Sequence, residues 1–361
     1  MKKRFMYALC AVVILAACGC SAETANSSAE ITSSAEAQAS DEAQEASQEI
    51  FAMDTYMTVT AYGGGAEEAV EKAVDEIKRL DTLLTSADEI GEVAKINANA
   101  GGQLSEDTAY LLERSLELYE STGGAFDVAI YPIMQAWGFI DKNFKVPSDS
   151  ELEKLLEITN ANDIVYDETT SEVSFKKDGM MIDFGGIAKG YTSSRIMDIF
   201  QECGVESGMV NLGGNAQVKG TKTDGSKWRI AIQSPDDEGD EYGMIGVIEV
   251  EDKAVITSGG YERYFEEDGV TYHHIIDPAT GKPANNGLIS VTIVCADGTL
   301  ADGLSTSLYI MGPDKAKEYW KEHSDEFDMV LETDDHKLLV SEGLADSFSS
   351  ELEIEIVSKG E

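Results

Sequence analysis

The stretch Asp183-Phe184-Gly185-Gly186-Ile187-Ala188-Lys189-Gly190-Tyr191 constrains the fold of this chain more than any other. An apolar run, Met180-Met181-Ile182, precedes it and reads as a short strand, while Ile196, Ile199, Phe200 and Cys203 recur behind it at helical spacing. A glycine pair between a strand and a helix lets the backbone approach a ligand and leaves amides free at the helix N-terminus, with Asp183 and Lys189 flanking the opening. That opening suits a phosphate. The same residues also describe a plain strand-to-helix turn with an exposed lysine, so the choice between the two rests on the other stretches.

The N-terminus addresses the chain. Lys2, Lys3 and Arg4 precede an apolar core from Phe5 to Ala17, too short for a mature membrane span, and residues 1–17 read as a secretory signal. Leu15-Ala16-Ala17-Cys18 has the form of a bacterial lipoprotein processing site, which makes Cys18 a lipidated N-terminus and anchors the chain to the outer face of the cytoplasmic membrane. Cys20 lacks the aliphatic residue such a site carries, and an uncleaved signal anchor is the competing reading. Residues 18–49 are otherwise Ala, Ser, Glu, Gln and Thr with almost no large apolar side chain, so they read as a disordered tether of roughly 30 Å reach. The folded body is expected from Ile50 to Glu361.

The formal charge of −41, from 27 basic and 68 acidic residues, excludes nucleic acid and anionic lipid headgroups as natural partners. It also sharpens the phosphate reading, because an acidic protein that holds a pyrophosphate must supply a divalent metal, a lysine and backbone amides locally. The five cysteines form no CxxC or Cys/His metal spacing. Cys203 and Cys295 read as buried small residues, with a disulfide between them open in an exported protein.

Along the body, Ile50–Thr60 is a β-rich run ending at the turn Gly63-Gly64-Gly65, and Val70, Ala73, Val74, Ile77, Leu80 and Leu84 outline a helix. Ser105 reads as the N-cap of a second helix, and Ser148 with Glu151 as a capping box for a third. Ala125-Phe126-Asp127 follows a diglycine and either walls a ring-shaped ligand or packs in the core; core packing is the reading for Trp137 and Phe139. Residues 164–167 and 172–175 read as a hairpin, and Gly208–Val218 as one strand interrupted by Gly213-Gly214, with Asn211 and Asn215 as hydrogen-bonding side chains. Strands follow near residues 228, 244 and 254. His273 and His274 point to opposite faces if they lie on a strand, so at most one serves a given site. Asp302 and Thr306, one helical turn apart, either chelate a hard cation such as Mg²⁺ through oxygen or serve as a helix acid and a back-bonded hydroxyl. A helix around Trp320, a hairpin at Asp334-Asp335 and a last strand over residues 352–357 close the chain.

Met53-Asp54-Thr55, Gly124-Ala125-Phe126-Asp127, the Asp183–Gly190 stretch, Asn211-Leu212-Gly213-Gly214-Asn215, His274-Ile275-Ile276-Asp277-Pro278 with Thr280-Gly281, and Ala301-Asp302 with Thr306 occur in the order and spacing of the ApbE-type FAD:protein FMN transferases, which residues 50–357 resemble. The resemblance implies an α+β fold of antiparallel sheets and packed helices, of the tunnelling-fold type. It implies an exported, Mg²⁺-dependent enzyme that splits FAD, releases AMP and attaches FMN to a threonine or serine of an exported flavoprotein. Carried over, the metal site is Asp302, Thr306 and the Gly186 carbonyl; flavin contacts are Met53, Ala125, Phe126, Asp127, Asp183, Lys189 and Ile276. His274 matches the family's base, with Asp183 and Lys189 beside it. The loop Thr85-Ser86-Ala87 lacks the tyrosine that stacks on adenine in many members.

Such a reaction needs the pyrophosphate charge offset, a base and a stabilised leaving group. Mg²⁺, Lys189 and the Gly185-Gly186 amides supply the first, and an unperturbed imidazole at His274, with a pKa near 6.5, suits the second. A hydrolase giving FMN and AMP from the same residues, and a non-catalytic flavin-binding lipoprotein, are the alternatives.

Overall fold

Nine strands of the main sheet lie side by side in the order in which the chain makes them: Glu45–Ala52, Thr55–Tyr62, Ser207–Leu212, Asn215–Lys219, Ala254–Gly259, Leu288–Cys295, Asp328–Thr333, Leu338–Ser341 and Ile354–Val357. The computed structural model describes residues 44–235 and 243–360. Neighbours pair antiparallel except at one edge, where Ile354–Val357 runs parallel to Leu338–Ser341. Among the described residues there are eight α-helices: α1 (Ala66–Leu84), α2 (Glu92–Asn99), α3 (Glu106–Ser121), α4 (Tyr131–Trp137), α5 (Asp149–Leu156), α6 (Ala188–Glu202), α7 (Gly298–Met311) and α8 (Pro313–Glu322). This is the α+β, mainly antiparallel architecture expected. No described helix is long and apolar enough to cross a membrane.

The period-2 alternation of strand side chains sorts the core into two layers. Ile256, Ile293, Met329 and Leu331 face the layer that holds the buried side of α7. Their neighbours Val255, Val294 and Val330 face the other way, onto Trp228, Ile230 and Ile248 of a small sheet. A third cluster seats α1 and α6 on the first hairpin through Met57, Val59, Ile77 and Phe200. Each large side chain buried in this way contributes roughly 1.5–3 kcal/mol.

Several local readings change. The run Ile50–Thr60 is not one strand but the turn of a hairpin: Met53 and Asp54 take left-handed φ of 47° and 61°, and Ala52 pairs with Thr55. The first strand begins at Glu45, so Glu45–Glu49 belong to the sheet and not to the tether; an edge strand tolerates polar side chains that composition reads as disorder. The segment Ser207–Lys219 is likewise a hairpin, turning at Gly213 and Gly214 (φ 67° and 97°), not a bulged strand. Met180-Met181-Ile182 forms no strand, because the Asn97 side chain takes both backbone groups of Ile182, donating to its O at 2.8 Å and accepting from its N at 2.7 Å. Ser105 occupies the N-cap of α3, but its side chain meets Glu92 and Thr108 instead of the first-turn amides. Ser148 does cap α5, accepting from Glu151 N at 3.3 Å. Cys203 and Cys295 are free thiols. The signal, Cys18 and the tether up to residue 43 lie outside the described residues.

Candidate active site

A cavity of about 710 Å³ opens where the first hairpin, the turn before α6, α7 and the loops after residues 124, 257 and 274 converge. That volume is in the range of small-molecule and cofactor pockets. The metal and flavin residues carried over from the family, with Asp183, Lys189 and His274, all line it, whereas Asn211 and Asn215 do not.

The floor is made by the crossing of α6 and α7. A Cβ at Gly190 would stand 2.1 Å from Gly298 O and 2.5 Å from Asp302 Cβ, so only glycine permits this approach. At that distance Gly190 N donates to Asp302 Oδ2 (2.8 Å), while Asn215 Nδ2, from the start of its strand, donates to Oδ1 (2.9 Å). Asp302 is 4% exposed, and burial holds its carboxyl above the ordinary carboxylate range against the pull of Lys189 and its hydrogen bonds. It is therefore no exposed helix acid. Thr306 stands one turn on, its Oγ1 3.3 Å from Ser258 Oγ, and a Cβ on Gly186 would lie 3.9 Å from that same Oγ1. Asp302, Thr306 and Gly186 all line the one cavity. Among the described residues no three His, Cys, Asp or Glu side chains gather to hold a metal, but a carboxylate, a hydroxyl and a carbonyl form a different kind of set, one whose all-oxygen chemistry fits a hard cation such as Mg²⁺.

The turn before α6 departs from the expectation of free amides. Asp183 Oδ1 accepts from Gly185 N at 2.8 Å and its Oδ2 accepts from Ser86 Oγ at 2.7 Å, so this carboxylate ties the turn to the loop after α1 and occupies the Gly185 amide. Asp127 caps a short 3₁₀ turn, accepting from Ala129 N (2.8 Å) and Ala161 N (3.2 Å); burial lifts its pKa to about 6. Ala125, Phe126 and Ile276 supply apolar wall. Met53 N donates to Asp81 Oδ1 at 3.0 Å, which fixes the hairpin tip over the cavity.

The two histidines part company, although His274 lies just past the strand Val270–His273 and not on it. His273 Nε2 meets Ala284 O at 2.8 Å and its ring stands edge-on to Tyr309, away from the cavity lining. His274 lines the cavity with Nδ1 3.2 Å from Arg263 O. A carbonyl only accepts, so Nδ1 carries the proton and Nε2 is the basic nitrogen. Burial, then the nearby Arg263, His273 and Lys189, push its pKa well below the ordinary imidazole value, which overturns the expected unperturbed imidazole.

Sequence reasoning missed three features. Glu262 lines the cavity, with its pKa lifted to about 7 by burial and by Asp302 against Lys189 and Arg263; nothing in its local pattern marks it. Asp54 holds Lys142 Nζ at 2.7 Å and Arg263 Nη2 at 3.7 Å across the mouth. Phe51 and Tyr56, cross-strand partners on the first hairpin, stand 59% and 66% exposed at the same rim with ring centroids 5.1 Å apart. Trp137 and Phe139 pack in the core against Phe265, as expected.

A model of the ApbE family matches residues 53–331. The FAD:protein FMN transferase of Klebsiella pneumoniae (strain 342) is 32% identical over 279 residues, covering 76% of this chain and 85% of its own length. That of Vibrio cholerae is 34% identical over 249 residues, covering 68% and 73%. Among solved structures, an ApbE protein from Thermotoga maritima superposes with a TM-score of 0.77 at 33% identity, over 83% of this chain and 98% of its own. The flavin transferase ApbE of Vibrio cholerae gives 0.72 at 26% identity, over 86% and 97%.

Proposed function

The chain belongs to the ApbE family and is a transferase, and from that premise we propose that it takes FAD, places the FMN half on a threonine or serine hydroxyl of an exported flavoprotein, and releases AMP. The observation that carries this reading is the convergence, in one cavity, of the oxygen donors Asp302, Thr306 and Gly186, the Lys189 ammonium and the single imidazole of His274.

In this reading Asp302, Thr306 and the Gly186 carbonyl hold Mg²⁺, which when bound offsets the pyrophosphate charge. Lys189 adds a fixed positive charge in a chain of net charge −41. His274 Nε2 takes the proton of the acceptor hydroxyl. As that oxygen bonds to the FMN phosphorus, the bridging P–O bond breaks and AMP leaves with the electron pair. Met53, Ala125, Phe126, Asp127 and Ile276 wall the flavin, and Asp183 keeps the turn under it in place. Phe51 and Tyr56 offer adenine the aromatic faces that the Thr85–Ala87 loop lacks.

Incubation with FAD and Mg²⁺, with and without an acceptor peptide, tests the reaction. Transfer predicts AMP in step with flavin on the peptide; AMP formed equally without peptide makes the chain a hydrolase, and FAD bound but uncleaved makes it a binder. Export follows from residues 1–17 and anchoring from Cys18. Labelled palmitate should enter the full-length protein and be lost, with membrane association, in Cys18→Ser.

A further inference from the structure

The floor of the cavity holds a cation and an anion that share one field without touching. The Lys189 ammonium and the Asp302 carboxyl group both line the cavity, yet among the described residues no direct ion pair joins them. In a poorly solvated cavity opposite charges attract strongly, and a lysine on its flexible stem closes on a neighbouring carboxylate unless something stands between. Asn215 stands between. Its Nδ2 donates to Asp302 Oδ1 at 2.9 Å and its Oδ1 accepts from Lys189 Nζ at 3.5 Å.

The backbone keeps this amide in place. Asn215 is 1% exposed and opens its strand directly after the two-residue turn, paired with Leu212. A Cβ on Gly213 would meet Thr55 Oγ1 at 2.2 Å, so the turn is pressed against the first hairpin. Behind it Ser193 Oγ donates to Gln217 Oε1 at 2.6 Å, a buried neutral contact that continues the polar seam between α6 and the sheet. The second donor on Asp302, Gly190 N, is also neutral. Glu262 also lines the cavity.

We propose that Asn215 is a spacer: an uncharged amide that prevents Lys189 from closing on Asp302, leaving the carboxylate for a divalent cation and the ammonium for phosphate oxygens. The inference rests on the metal reading above and deepens it. A direct Lys189–Asp302 pair would neutralise the only carboxylate in the proposed donor set. Asn215 is thus a positioning residue that acts on two others through the two ends of one amide.

The test is Mn²⁺ binding to the purified chain without FAD, read from the paramagnetic resonance of free Mn²⁺. The proteins compared are the parent, Asn215→Leu, Lys189→Met, the double variant and Asp302→Ala. Asn215→Leu should weaken Mn²⁺ by about tenfold or more, the scale of losing a group that orients a metal ligand. Lys189→Met alone should not weaken it, and in the Asn215→Leu background it should restore affinity to near the parent value. That rescue separates a spacer from a merely structural asparagine, for which the double variant stays as weak as Asn215→Leu. Parental affinity in Asn215→Leu, or absent rescue, overturns the spacer. Mn²⁺ bound equally by the parent and Asp302→Ala, or by neither, overturns the metal reading instead. If Asn215→Leu melts below the assay temperature, the same cycle with Asn215→Ala decides.

Discussion

The floor and the mouth of the cavity are built by opposite means. At the floor, two helices meet at Gly190 and the carboxylate between them is buried and held by neutral N–H donors. At the mouth, the hairpin tip is held by exposed ion pairs from Asp54 to Lys142 and Arg263, and it displays Phe51 and Tyr56 to solvent. Burial makes the floor's geometry stiff and its electrostatics strong, whereas exposure makes the rim's contacts weak and screened. The floor is therefore where substitutions should alter chemistry, and the mouth where they should alter binding.

Asp302→Ala presses hardest on that contrast. Turnover should fall by at least about 10²–10³-fold, the scale of removing a preorganised electrostatic group, and lose its divalent-cation dependence. Two buried donors also lose their acceptor, so the stability cost should be about 1–3 kcal/mol, above the 0.3–1 kcal/mol of an exposed helix acid. Wild-type turnover in a variant that melts as a folded protein would remove the floor from the chemistry.

His274→Ala should slow transfer by roughly 10²–10⁴-fold while FAD affinity, followed by flavin fluorescence, stays near the parent value. Neutral imidazole is the active form. Because burial depresses its pKa, the rate should rise with pH through a value below about 6.5 and be level above it, and this limb should vanish in the variant. Equal proportional losses of rate and affinity would make the histidine structural.

At the rim, Phe51→Ala with Tyr56→Ala should raise KM for FAD by about 5- to 150-fold, the worth of roughly 1–3 kcal/mol of stacking, with kcat and melting temperature unchanged and FMN affinity intact. An unchanged KM for FAD with a raised KM for the acceptor would assign the pair to the protein partner. Asp54→Ala should do least: at most about 1 kcal/mol of stability, and less at high salt in a melting series.

How far the sequence was legible follows the reach of each interaction. The α1 stripe, the Ser148 cap and the core packing of Trp137 could be read because their causes lie within a few residues or in side-chain volume. So could the grouping of Asp302 with Thr306, since one helical turn sets it. The Met53-Asp54 turn was not legible, because neither residue is glycine and only the pairing of the flanking strands holds both at positive φ. Nor was the lost strand at Met180–Ile182, whose hydrogen bonds go to Asn97, 85 positions away.

The residues by themselves pointed to the family, the α+β class and the side chains that line the cavity, because motifs and periodicity are local properties of the chain. Only the tertiary structure decided how those side chains stand. Asn215 reaches Lys189 across 26 positions and Asp302 across 87, Glu262 enters the cavity with no local mark, and His274 loses its ordinary pKa to burial. Burial and charge separation depend on what the rest of the fold places alongside a residue, and that is settled only when distant segments pack.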